Sequence, residues 1–176
     1  MNIWPRQNTK ELTAFYGDPD VNDDGLPDLA WEAANITRII PPYPMFLAWN
    51  GRPLKTISIH RKCADSLMRC LLNIADIPEA NRRHYGLDQF GGAYNFRPMR
   101  GISGQLSTHA YGCAIDLAPV QNPLYKPWQE RSNMMPKEVV EIFAAEGWCW
   151  GGDWDGDGDL KDQRRHDGMH FQAARL

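Results

Sequence analysis

The chain has 176 residues, 43% of them hydrophobic and 23% charged. That is enough apolar material for one core of ordinary domain size and too much for a disordered or low-complexity chain. Nineteen Lys and Arg against 22 Asp and Glu leave a formal net charge of −3. No basic stripe is present, so nucleic acid is not expected as a principal partner. No run approaches the ~18 apolar residues of a membrane span; Ile39–Leu47 is short and broken by Pro41, Pro42 and Pro44. The first eight residues lack the apolar region and cleavage site of an export signal. The expectation is a soluble protein, cytoplasmic at synthesis. Cys63, Cys70, Cys113 and Cys149 have no CxxC spacing and read as reduced core thiols.

Residues 1–16 read as an N-terminal helical or irregular segment, followed by an aspartate-rich loop from Asp18 to Asp28. From Ile36 to Leu54, prolines and scattered aromatics suggest short strands and turns. The strongest helix signal is 60–74, where Cys63, Leu67, Cys70, Leu71 and Ile74 form one apolar stripe of 3.6-residue period, closed by Pro78. A second helix is expected over 136–146, opened by Pro136 and Glu138 and stopped by Gly147. Short strands are expected around Tyr94–Arg97, Gly112–Leu117 and Gly168–Gln172. With no βαβ rhythm, no repeat and no linker, the chain reads as a single α+β domain spanning 1–176.

Chemistry concentrates in Ser107-Thr108-His109-Ala110-Tyr111-Gly112-Cys113-Ala114-Ile115-Asp116 and in Asp167-Gly168-Met169-His170. Two imidazoles and a carboxylate can form a three-ligand zinc site whose fourth position is left to water. Zinc lowers the pKa of such a water toward ~7, and a nearby base must then handle its proton. Asp167, three residues before His170, is placed for that. Gly112 permits a tight turn between His109 and Asp116, and Ala114 and Ala118 share strand parity with Asp116 and leave space beside it. Spacing alone leaves a structural role for these histidines open.

The pair SxHxxGxAxD and DxxH resembles the D-alanyl-D-alanine carboxypeptidase family of zinc peptidases, which includes VanX- and VanY-like enzymes and phage L-alanyl-D-glutamate endopeptidases. Ser107, His109, Gly112, Ala114 and Asp116 match the first motif, and Asp167 and His170 the second. Tyr16–Pro19, Gly91–Arg100 and Gly147–Trp154 look like the phage-lysin branch. The likeness covers most of 85–172, the motif-bearing core, and the first 80 residues only loosely. It implies a hedgehog/D-Ala-D-Ala-peptidase-like fold with a small antiparallel sheet flanked by helices. It also implies His109, Asp116 and His170 as ligands of one Zn2+, and Asp167 as general base. An upstream arginine would hold the substrate carbonyl or carboxylate: Arg97, in a Tyr-x-x-Arg-Pro context, is preferred over Arg100. Ser107 is a further substrate-side candidate.

Other readings compete. His166-Asp167-Gly168-Met169-His170 is HDxxH, one methylene from the HExxH helix of zincins, but Gly168 opposes a continuous helix. Asp20, Asn22, Asp24 and Asp28 have the oxygen spacing of a calcium loop, and Asp155, Asp157, Asp159 and Asp162 a similar one. Neither has the bidentate Glu at position 12. Trp148, Trp150 and Trp154 are either core or a groove lining. The resemblance implies an endolysin cleaving L-Ala–D-Glu in peptidoglycan stem peptides, monomeric, acting in the periplasm or wall after release by a holin-type partner. The rivals are a D,D-carboxypeptidase removing terminal D-Ala and a non-catalytic wall-binding module. A second cation facing the site would favour the carboxypeptidase, and an open groove the endopeptidase.

Overall fold

The computed structural model describes residues 4–102, 104–160 and 165–176. Helix α1 (Thr9–Tyr16) starts at Asn8, whose side chain accepts the Glu11 N–H at 2.9 Å, while Glu11 reaches back to the Arg6 N–H. The Asn8 cap satisfies one orphan N–H of the first turn, and the Glu11 carboxylate ties the chain ahead of the helix back onto it. The aspartate loop then leads into α2 (Leu29–Asn35), capped by Asp28 through the Trp31 N–H.

Strands β1 (Ile36–Ile39) and β3 (Ile57–His60) pair antiparallel as a separate two-stranded ribbon, with β2 (Phe46–Leu47) between them in sequence. Helix α3 (Arg61–Ala75) follows β3 directly and buries Cys63, Leu67, Cys70, Leu71 and Ile74, the stripe that the periodicity marks. It ends ahead of Pro78, which instead opens the short α4 (Glu79–His84).

The main sheet is completed by β4 (Gln89–Gly92), β5 (Ala114–Leu117), β6 (Cys149–Trp150) and β7 (His170–Gln172), in the order β2-β4-β5-β7-β6. The expected antiparallel sheet is found, except that its β2–β4 edge is parallel. Helix α5 (Lys137–Ala145) covers one face, with Phe143 stacked on Phe171 at 4.0 Å between ring centroids. Strand alternation does the rest: Ile115, Leu117 and Phe171 enter the core, whereas Asp116, His170 and Gln172 point to the opposite face. The four cysteines are free, three of them fully buried. No helix among the described residues is long and apolar enough to cross a membrane.

The strand expected at Tyr94–Arg97 lies earlier, at Gln89–Gly92. Its register against β5 shifts between Phe90 and Gly92. Beyond Gly92 the backbone leaves the sheet: Tyr94 N–H donates to Ser58 and Asn95 N–H to the His109 carbonyl. The chain there braces the His109 turn instead of extending β4.

Candidate active site

The register of the central strand pair sets the geometry. Asp116 on β5 lies opposite His170 on β7, so their side chains leave the same face within reach of each other. His109 joins them from a turn over 107–113, closed by Ala110 N–H to Ser107, Gly112 N–H to His109 and Cys113 N–H to Thr108. Gly112 carries that turn at φ +64°, and a Cβ there would lie 2.7 Å from Ile36 and 3.0 Å from the His60 nitrogen. Glycine is required twice, by conformation and by space.

His109 Nε2, His170 Nδ1 and Asp116 Oδ1 form a small triangle. Both nitrogens approach the shared oxygen, at 3.2 and 3.0 Å, and they stand 3.2 Å from each other. Tetrahedral ligands at zinc bond lengths stand about 3.3 Å apart. The outer nitrogens fix the tautomers. His109 Nδ1–H donates to the Ala93 carbonyl at 2.7 Å, and His170 Nε2–H donates to Gln172 Oε1 at 3.1 Å. Gln172 is itself oriented, because its amide nitrogen donates to Gln7 Oε1 at 2.7 Å and to the Ala174 carbonyl. In the neutral imidazoles the inner nitrogens therefore carry lone pairs, and three electron-pair donors face one another. A cation satisfies that arrangement. The donor set of two nitrogens and one carboxylate fits zinc.

Burial alone would raise the Asp116 pKa, but His109 and then His170 override it and hold the carboxyl well below the usual range. Burial presses His170 down, and the Asp116 carboxylate outweighs it, so that imidazole is held above its ordinary value.

Asp167 sits on the turn that feeds β7, fixed by its own N–H to Gly151 at 2.7 Å and by the His170 N–H to its carbonyl at 2.9 Å. Its Oδ1 is buried without a hydrogen-bond partner. Burial raises its pKa against the pull of His170. Backbone passes close to Gly151: a Cβ there would lie 2.5 Å from the Asp167 carbonyl oxygen.

His170 and Asp167 open onto a cleft of about 430 Å³ whose lining also includes Arg97, Arg100 and Ser107. Arg97 is half-buried and lies in the field of Asp116 and Asp167, and burial lowers its pKa. Arg100 is exposed at the outer rim. Ser107 lines the cleft and also accepts the His109 N–H. The HDxxH helix does not form: residues 165–169 are turn and coil, and His170 begins a strand. The tryptophans divide. Trp148 and Trp150 are core, whereas Trp154 lines the cleft with its ring 5.6 Å from that of His170.

Sequence reasoning missed Thr108, Gln172 and Gln7 at the cleft. For Gln172 a signal existed, since it is two residues from His170 and shares its strand face.

The structure gives no support to calcium at the first loop. Asp20 accepts the N–H groups of Asp24 and Gly25, Asp24 that of Leu26, and Asp28 caps α2. The loop forms no converging acidic group among the described residues. In the second loop Asp155 and Asp157 converge with Asp153, within 4.8 Å, on an exposed turn; Asp162 lies outside the described residues.

Residues 101–173 match the family model of D-alanyl-D-alanine carboxypeptidase. The span is under half of the chain, yet holds Ser107, His109, Asp116, Asp167 and His170. No curated protein and no solved structure matches the chain.

Proposed function

We propose that the protein is a zinc-dependent peptidase acting on peptidoglycan stem peptides. The observation that carries this reading is the convergence of three electron-pair donors from His109, Asp116 and His170, spaced as zinc ligands are, with His170 lining a cleft. The match to a peptidase family over the residues that build the site supports it.

A zinc ion held by these residues would supply a Lewis acid for the scissile carbonyl and a water of lowered pKa. The chain's own residues do the remaining work. Asp167, half-buried and with its buried Oδ1 unpaired, takes a proton and returns it to the leaving amine; its raised pKa brings it closer to the operating pH. Arg97 holds the substrate carbonyl oxygen, where a planar fork suits developing negative charge. Gln172 and the Ala93 carbonyl keep both imidazoles in the ligating tautomer.

The bond we favour is L-Ala–D-Glu, on the likeness of Gly91–Arg100 and Gly147–Trp154 to phage lysins. A phage or prophage lysis enzyme, reaching the wall through a holin-type partner, goes with it. The D,D-carboxypeptidase reading is favoured by a specific observation, the further cations Arg100 and Arg165 in the cleft.

Digestion of purified peptidoglycan by the wild type and His170→Ala, with and without chelator, tests both. Fragments with new D-Glu amino termini, absent in the variant and restored to chelated wild type by zinc, support the endopeptidase. Loss of a single terminal D-Ala selects the carboxypeptidase. No zinc-dependent product overturns the enzymatic reading.

A further inference from the structure

Part of the cleft wall comes from chain far from the two motifs. Gln7 lines it together with Met99, Thr108, His170 and Gln172, although Gln7 and Gln172 are 165 residues apart in sequence. The backbone around Gln7 is pinned to the residues beyond β7. Gln7 N–H donates to the Arg175 carbonyl at 2.7 Å, and Arg175 N–H to the Pro5 carbonyl at 2.9 Å. Trp4 is buried and donates its indole N–H to the Glu146 carbonyl at 2.9 Å. This bracing fixes where the Gln7 side chain begins, so less freedom is left to lose when it binds a ligand.

A relay of amides sets the orientation of that side chain. The Ala174 carbonyl can only accept, and it takes one hydrogen of Gln172 Nε2 at 3.3 Å. Gln172 Oε1 therefore faces the other way, accepting from His170 Nε2 at 3.1 Å and from Thr108 Oγ1 at 3.3 Å. The second hydrogen of Gln172 Nε2 goes to Gln7 Oε1 at 2.7 Å. Reversing the Gln7 amide would set N–H against N–H, so its oxygen is fixed toward Gln172 and its nitrogen away. Gln172 is fully spent by these bonds. Gln7 is not: it is half-buried, and among the described residues its Nε2 reaches only the Met99 thioether, at 3.9 Å. Sulfur is a weak acceptor. The fold gains little from that contact, whereas a carbonyl arriving in the cleft gains a full hydrogen bond without reorienting the side chain.

We propose that Gln7 is a substrate-binding residue, its side-chain amide N–H donating to a backbone carbonyl of the peptide in the cleft. This rests on the peptidase reading and extends the peptide-binding wall to the segment ahead of α1. Gln172 then orients a metal-ligating imidazole through its oxygen and a peptide-binding amide through its nitrogen.

The test is calorimetric binding of the pentapeptide L-Ala-γ-D-Glu-L-Lys-D-Ala-D-Ala to the zinc-loaded Asp167→Asn protein, in which turnover is suppressed. Gln7→Glu keeps an oxygen for Gln172 and removes both donors; Gln7→Met is a neutral variant of similar length. Each is expected to bind the pentapeptide roughly 3- to 10-fold more weakly, the range of one neutral hydrogen bond. Gln7→Glu should hold zinc as tightly as its parent in chelator competition. A second series replaces the amides of the pentapeptide one at a time by trans-alkenes, which delete a carbonyl without adding charge. One replacement should weaken binding by the same factor when Gln7 is present and have no effect on the Gln7→Met protein. A residue that merely braces Gln172 would show no such coupling. Pentapeptide affinity unchanged in both variants overturns the contact, and so do losses that simply add at every amide.

Cleavage of the pentapeptide by the otherwise wild-type protein is scored separately. Cleavage without coupling at any amide overturns the Gln7 contact and keeps the peptidase. Coupled binding without cleavage overturns the peptidase and keeps the contact, and the absence of both overturns both.

Discussion

Asp116 and Asp167 each have a glycine backed against them, and those two glycines set where the carboxylates can sit. A Cβ at Gly91 would lie 2.9 Å from the Asp116 Cβ, and one at Gly151 would lie 3.0 Å from the Asp167 Cβ as well as 2.5 Å from its carbonyl oxygen. Neither contact is tolerable without movement of backbone. Gly151→Ala is therefore expected to displace Asp167 while the three donors stay in place, lowering kcat at least about 10-fold with zinc still bound. Asp167→Asn removes the proposed proton carrier outright and should cost ~10²–10⁴-fold in kcat, again with metal retained. His109→Ala and Asp116→Ala are expected to behave differently, losing the metal itself. Elemental analysis of the purified variants beside single-turnover kinetics distinguishes the two classes. Zinc lost from Asp167→Asn, or zinc retained by both His109→Ala and Asp116→Ala, would show that the roles have been assigned the wrong way round.

The junction of β3 and α3 shows an element held by a titrating group. His60 caps α3, its Nδ1 accepting the Lys62 N–H at 3.1 Å while its Nε2–H donates to the Tyr16 carbonyl at 3.0 Å. Burial, opposed by the Tyr16 bond and assisted by Lys62 and Arg61, lowers its pKa to about 4. The folded value lies below the unfolded one of ~6.5. The unfolded chain therefore binds the proton first, and stability present above pH ~6.5 is lost as the pH falls toward 4. The full loss is on the order of 3 kcal/mol. In urea titrations at pH 7 and pH 4.5, His60→Asn, which keeps a capping side chain, should lack this component; an unchanged pH slope would sink the assignment. Elements of this kind were unevenly legible. Helices α3 and α5 showed in the sequence within a residue or two, because an apolar stripe and its stop signals are local. Two-residue strands such as β2 and β6 were not, since pairing with distant chain is all that defines them. The site divides in the same way. His109, Asp116, Asp167 and His170 stand in two short motifs, whereas Gln7 and Arg165 reach the cleft through tertiary contacts that no spacing encodes.

At the scale of the whole molecule, the three donors join a turn and the two central strands of the sheet, and Gln172 carries the connection to Gln7 near the start of the described chain. An ion held there cross-links residues far apart in sequence and binds the folded chain in preference to the unfolded one. Its free energy of binding is then free energy of folding. Each tenfold rise in free zinc above the dissociation constant should add about 1.4 kcal/mol, and for a chain of this length each kilocalorie moves Tm by about 2–4 °C. Wild type in chelator should therefore melt several degrees below wild type in buffered zinc, with Tm climbing in proportion to the logarithm of free zinc. His170→Ala should melt at one temperature under both conditions. Phe143→Ala supplies the contrast: removing the ring stacked on Phe171 should cost about 3–5 kcal/mol while leaving the dependence on zinc intact, because α5 lies on the other face of the sheet. A wild-type Tm indifferent to zinc would mean that the three donors gather for a reason other than a metal, and the proposed chemistry would lose its foundation.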